Sequence, residues 1–175
     1  MGNIRLDPVL GRWNELPREE AAAKLLSCCG SRRWAEQLAL RRPYSERGEL
    51  LKAAREVWYA LEPEDWMEAF RSHPRIGERH AERATTAASA AWSAAEQKSV
   101  QDAEESTRRA IARGNRLYEE RFGRIFIICA AGKQPSEILE ILTARLANSD
   151  EAELQESAAQ QALILELRLE KWLSA

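Results

Sequence analysis

Arg124-Ile125-Phe126-Ile127-Ile128-Cys129-Ala130-Ala131 is the stretch on which the fold class turns. Residues 125–131 are apolar without interruption and rich in β-branched isoleucine, a composition that suits a strand buried on both faces. A strand needs a partner, and no other segment of the chain makes a plausible one. The run is therefore read as a buried helical or irregular segment, and the fold class as all-α.

The flanking sequence supports that reading. Upstream, an alanine-rich stretch from Ala81 to Trp92 leads into a predicted long helix from about Ser93 to Arg121, which Gly123 breaks. Downstream, Pro135-Ser136-Glu137 opens a helix that ends near Asn148. Ser149-Asp150-Glu151 caps the last one, whose Leu154, Ala158, Ala162, Leu165, Leu169 and Trp172 recur by threes and fours. Nearer the N-terminus, Asn14, Pro17, Glu19 and Glu20 read as a capped entry to a helix that stops at a left-handed Gly30. Ser31 starts a helix that Pro43 ends, another spans about Glu46 to Leu61, and Pro63 opens a short one through Phe70. With no internal repeat and no Pro/Gly-rich linker, residues 1–175 are expected to form a single compact multi-helix domain.

Composition narrows the function. At 175 residues, 45% hydrophobic and 31% charged, the chain is globular in character and should bury roughly 70% of its unfolded surface. The 26 Lys+Arg against 28 Asp+Glu leave a net charge of -2, with no basic excess for nucleic acid. No apolar run is long enough to cross a bilayer, and the N-terminus lacks the apolar stretch of a secretory signal. The last residues, Trp172-Leu173-Ser174-Ala175, are not a peroxisomal S-K-L, so a cytoplasmic setting is expected. Three cysteines, two of them adjacent, make neither a disulfide framework nor a C-x-x-C pair. His73 and His80, separated by Pro74 and Gly77, fall short of a zinc ligand set.

Four places can carry chemistry. His73 precedes a proline, which disfavours helical backbone there, so the imidazole is either a positioned acid/base or a turn histidine bonded to backbone. Ser93-Ala94-Ala95-Glu96-Gln97 contains S-x-x-E, the pattern of a helix capping box, unless Glu96 and Gln97 point into a pocket instead. Arg168 lies about 80° from the middle of the last helix's apolar stripe; it either lines a cavity edge or sits as a cation near a helix C-terminus. Arg145 reads as structural, and Cys129, inside the apolar run, as packing.

Taken in order, His73-Pro74-Arg75-Ile76-Gly77, Ser93-x-x-Glu96-Gln97 and Tyr118-x-x-x-Phe122-Gly123-x-x-Phe126-Ile127-Ile128-Cys129-Ala130 resemble the signature of the decarboxylases of 2-oxo-4-hydroxy-4-carboxy-5-ureidoimidazoline (OHCU). The resemblance runs from about Leu16 to Leu173 and includes Cys29-Gly30-Ser31, Arg42-Pro43-Tyr44, Leu142-Thr143-Ala144-Arg145-Leu146 and Leu167-Arg168-Leu169. Ala131 and Lys98 depart from it, standing where an arginine and a small residue are common.

That resemblance implies an all-helical homodimer that removes CO2 from OHCU and leaves (S)-allantoin in urate breakdown. It implies no metal, pyridoxal phosphate or thiamine, because the ring's conjugated C=N bond can take the electron pair released with CO2. It assigns catalysis to His73, Glu96 and Arg168. Substrate binding falls to Pro74, Ser93, Ala94, Ala95, Glu96, Gln97, Phe126, Ile127, Ile128, Cys129, Ala130 and Arg168. In this scheme Glu96 either orients His73 and favours its imidazolium or bonds the substrate's N–H groups. Arg168 offers its fork to a substrate carboxylate or carbonyl, and Gln97 meets the ureido tail. Two other readings remain: a related cofactor-free enzyme on another ureide, and a helical interaction module without catalysis.

Overall fold

The computed structural model describes residues 7–78 and 86–175. His80 and the start of the alanine-rich stretch, Ala81 and its neighbours up to residue 85, lie outside the described residues. Among those described there are ten helices and no β-strand. They are α1 (Pro8–Glu15), α2 (Arg18–Leu25), α3 (Arg32–Leu40), α4 (Arg47–Tyr59), α5 (Pro63–Phe70), α6 (Ala87–Glu96), α7 (Lys98–Gln101), α8 (Glu105–Phe122), α9 (Pro135–Arg145) and α10 (Asp150–Leu173).

Local chemistry sets most of the boundaries. Asp7 caps α1 by accepting from the amides of Val9 and Leu10 at 2.9 and 3.1 Å. Ser31 and Ser149 cap α3 and α10 as the sequence predicts, accepting from Trp34 at 3.3 Å and Ala152 at 3.2 Å. Gly123 closes α8 in the left-handed region at φ 64°, where a Cβ is disfavoured.

Three expectations at helix ends are overturned. Asn14 opens no helix: it lies inside α1, and its amide donates to the Tyr44 carbonyl at 2.8 Å while its oxygen accepts from the Tyr44 amide at 3.1 Å. Gly30 is not in the left-handed region; a Cβ there would meet Cβ and Oγ of Ser72, each at 2.4 Å, so the glycine lets the α2–α3 turn touch the residue before His73. The helix expected over 93–121 is three elements, with Ser93 inside α6 and Thr86 capping that helix through the Ser89 amide at 3.1 Å. Ser93 does not act as a cap because its hydroxyl is engaged by Arg168 at 2.8 Å.

Two apolar clusters form the interior. The larger joins α1–α5 to the inner face of α10, and the smaller joins Ile111 and Tyr118 of α8 to Ile138 and Leu142 of α9. Four indoles anchor the larger one, each donating to a backbone carbonyl at 2.9 Å: Trp13 to Ala21, Trp34 to Ala54, Trp58 to Ala158 and Trp66 to Trp58.

Of the decisive run 125–131, residues 125–130 are irregular and lie between the clusters, while Ala131 is exposed in the turn that follows. Ile125, Ile127 and Cys129 belong to the larger cluster, while Phe126, Ile128 and Ala130 belong to the smaller. It alternates like a strand but is buried by helices on both sides, which explains why every position is apolar. Arg145 fixes it from α9: Nη1 donates to the Ile127 carbonyl at 2.7 Å, and the guanidinium lies 4.6 Å from the Phe126 ring centroid. The same guanidinium is held by Glu153 at 2.5 and 2.8 Å and by Ser157 at 3.1 Å, confirming the structural reading of Arg145.

Candidate active site

His73 follows the end of α5, and its amide donates to the Phe70 carbonyl at 3.0 Å. The turn beyond it is tied to the other half of the molecule. Arg75 grips Glu119 with two donors at 2.5 and 2.9 Å. Asn115 donates to the Ile76 carbonyl at 3.0 Å, and the Gly77 amide donates to Gln97 Oε1 at 2.9 Å. This part of the backbone is thereby fixed from α6 and α8, and the imidazole is delivered into the interior at 7% exposure.

A narrow cleft lies over that imidazole, with a cavity volume of about 20 Å³. It gathers His73, Pro74, Glu96 and Gln97 on its polar side. Phe126, Ile127, Ile128 and Ala130 of the irregular run form the opposing wall, with Ile76 and Ile164 completing it. Eight of the residues named from the sequence therefore meet at one place.

The others do not line it. Ser93 and Arg168 lie one layer behind Glu96, while Ala94 and Ala95 are exposed. Cys129 turns its side chain into the larger cluster and offers its backbone amide to Gln160 Oε1 at 3.0 Å.

The Arg168 fork, expected to meet substrate, is engaged within the protein. The residue is 1% exposed, and its Nε and Nη2 donate to the two Glu96 carboxylate oxygens at 3.1 and 2.8 Å. Nη1 reaches Ser89 at 3.2 Å and Nη2 also reaches Ser93. Every arm of the guanidinium has a protein acceptor, so the group presented to the cleft is the Glu96 carboxylate. Lys171 Nζ stands 3.6 Å from the same carboxylate, leaving the Glu96–Arg168–Lys171 cluster with one net positive charge.

The imidazole also departs from expectation. Rather than being favoured as imidazolium, its pKa is pushed down to about 3, first by burial and then by the Arg168 charge, against a small opposing pull from Gln161. Burial therefore favours the uncharged ring, which can accept a proton. The three thiols are buried, and burial raises Cys28 and Cys29 to about 12 and lifts Cys129 as well, which removes them as nucleophiles.

Sequence reasoning passed over Gln161. It is fully buried on α10, in line with Glu153, Ser157 and Arg168. The available signal was a polar residue set among the apolar stripe positions Ala158, Ala162 and Leu165. Among the described residues, no group of three or more His, Cys, Asp or Glu side chains is arranged to hold a metal ion.

The protein is all-helical, with a cleft that gathers a buried histidine and a carboxylate held by an arginine, and comparison with known proteins makes its class specific. The OHCU decarboxylase family model matches residues 14–170. The chain is 34% identical over 156 residues to the uric acid degradation bifunctional protein TTL of Arabidopsis thaliana, covering 84% of this chain and 45% of that longer protein. It is 30% identical over 135 residues to the OHCU decarboxylase of Haloferax volcanii, covering 77% of each. A crystal structure of an OHCU decarboxylase determined in the presence of (S)-allantoin superposes with a TM-score of 0.75 at 34% identity, over 87% of this chain and 98% of that one. An (S)-allantoin synthase structure shares the fold at a TM-score of 0.69 and 16% identity, over 93% of this chain and 53% of that one. The chain belongs to the OHCU decarboxylase family.

Proposed function

We propose that this chain decarboxylates OHCU to (S)-allantoin in urate degradation, with His73 as the acid/base. The observation that carries the proposal is the cleft in which an uncharged His73 faces the Glu96 carboxylate that Arg168 holds. Breaking the bond to the carboxyl group sends its electron pair into the conjugated C=N bond of the ring. The ring nitrogen that takes the pair gains a proton from solvent, the hydroxyl loses one, and the neighbouring ring carbon gains one. His73 accepts the hydroxyl proton and returns a proton to one face. An anion bound beside the ring raises the imidazole pKa, so the proton is accepted while substrate is present and released once CO2 has left.

Glu96 acts on the ligand rather than on His73 in this scheme: it accepts from ring and ureido N–H groups, and Arg168 keeps it ionised and in register. Gln97, whose Oε1 is engaged by Gly77, has its amide donors left for the ureido carbonyl. Phe126, Ile127, Ile128 and Ala130 exclude water from the reacting face. A homodimer and a cytoplasmic setting belong to the same proposal; a monomer in sedimentation velocity would remove the first.

The test supplies freshly generated OHCU and follows optical activity. The expected result is faster loss of substrate with (S)-allantoin in excess, abolished in His73→Ala at unchanged helix content. Full activity in that variant would remove His73 from the mechanism. No acceleration by the wild type would leave a related ureide, or an interaction module, as the reading to pursue.

A further inference from the structure

Along the inner face of α10, Glu153, Ser157, Gln161 and Arg168 are polar and at most 1% exposed. Three of the four are well partnered. Glu153 and Ser157 receive Arg145, and Arg168 is bound to Ser89, Ser93 and Glu96. Gln161 alone among them has both amide atoms buried with no hydrogen-bond partner; it lies one turn from Ile164, which lines the cleft with His73, and the His73 Nε2 is buried in the same condition. A buried amide without partners costs stability on the order of 1–3 kcal/mol, so an amide kept beside an imidazole calls for a role that apolar packing cannot fill.

We propose that Gln161 is a positioning residue for His73: its amide oxygen accepts from Nε2–H, which fixes the neutral tautomer and leaves Nδ1 as the proton acceptor. When Nδ1 takes the substrate's hydroxyl proton the ring becomes imidazolium, and the same oxygen stabilises the positive charge on Nε2–H without moving. Charged groups near the ring are few. Arg168 approaches from α10, and Glu96 on α6 shares the cleft, paired with both Arg168 and Lys171 so that the cluster keeps one net positive charge. An uncharged carbonyl therefore tunes the ring without adding a second carboxylate close to an anionic substrate.

This inference rests on the decarboxylase reading, so its first test needs no substrate. In 15N-labelled protein, with His80→Gln to leave one imidazole, the expected signal is the Nε2–H tautomer of His73. Gln161→Met, close in volume and able to fill the site, is expected to lose that preference and give a mixed or inverted tautomer. With OHCU, Gln161→Met should keep KM within about twofold while kcat falls about tenfold or more. Gln161→Glu, which puts a counter-ion on the ring, should move the acidic limb of kcat to higher pH. A His73 tautomer unchanged by Gln161→Met would overturn the inference even in a fully active enzyme. So would unchanged kcat and pH profile in both variants. A wild type inactive on OHCU with the tautomer result intact would sink only the assigned substrate.

Discussion

Arg145→Met tests whether the Arg145–Glu153 pair holds the wall of the cleft. The two side chains are 6% and 0% exposed, and the pair is bonded at 2.5 and 2.8 Å. Removing the guanidinium leaves Glu153 with Tyr118 at 2.5 Å and Asn148 at 2.8 Å, but with no cation to balance its buried charge. Breaking one side of a buried pair costs about 3–5 kcal/mol. For a chain of this size that corresponds to a fall in Tm of roughly 6–20 °C, a large part of the stability of an ordinary domain. Arg145→Met/Glu153→Gln removes both charges and should recover at least half of the loss. Urea titrations of the wild type, both single variants and the double variant close the cycle. The Ile127 carbonyl also loses its donor, so kcat/KM should drop roughly 10–100-fold even where the single variant is fully folded. A cost below about 1 kcal/mol, or a double variant as unstable as the summed singles, would refute the reasoning.

Gly30→Ala should cost about 1–3 kcal/mol, because Ser72, whose Oγ donates to the Ala69 carbonyl at 2.6 Å, cannot yield without shifting His73; unchanged melting and activity would contradict that coupling. His73, with a native pKa near 3 against 6.5 unfolded, takes up a proton on unfolding. Stability should therefore fall with decreasing pH between about 6.5 and 3, by at most about 1.4 kcal/mol per pH unit, and His73→Phe should flatten that part of the urea-midpoint profile. A wild type and variant with parallel profiles would count against a buried neutral ring. Cys28, Cys29 and Cys129 should react with a thiol reagent only after denaturation; labelling of the native protein at free-thiol rates would show the interior to be more open than described.

Capping serines, prolines and acids are short-range signals, and they located α3, α5, α9 and α10 without knowledge of the rest of the chain. The all-helical class was equally legible, because a lone apolar run has no strand to pair with. The family resemblance carried by the His73, Glu96 and Phe126–Ala130 motifs named eight of the residues that line the cleft, but not Ile76 or Ile164. Local reading failed where one chemical group has two uses. Ser93-x-x-Glu96 satisfies a capping rule, but a guanidinium 72 positions away in the chain takes both side chains. Gly30 permits a left-handed cap but serves a close approach to Ser72.

Sequence alone thus determined the all-helical class, most of the helices, and which residue types are available for proton transfer; α1 and the division of 93–121 into three elements were not legible in it. Tertiary structure decided how those residues are paired and buried: Arg168 is bound to Glu96, burial pushes the His73 pKa down, and Gln161 is fully buried on the same helix as Arg168. The physical reason is that pairing and desolvation depend on distances between helices, and those distances are set by packing over the whole core, which no local pattern encodes.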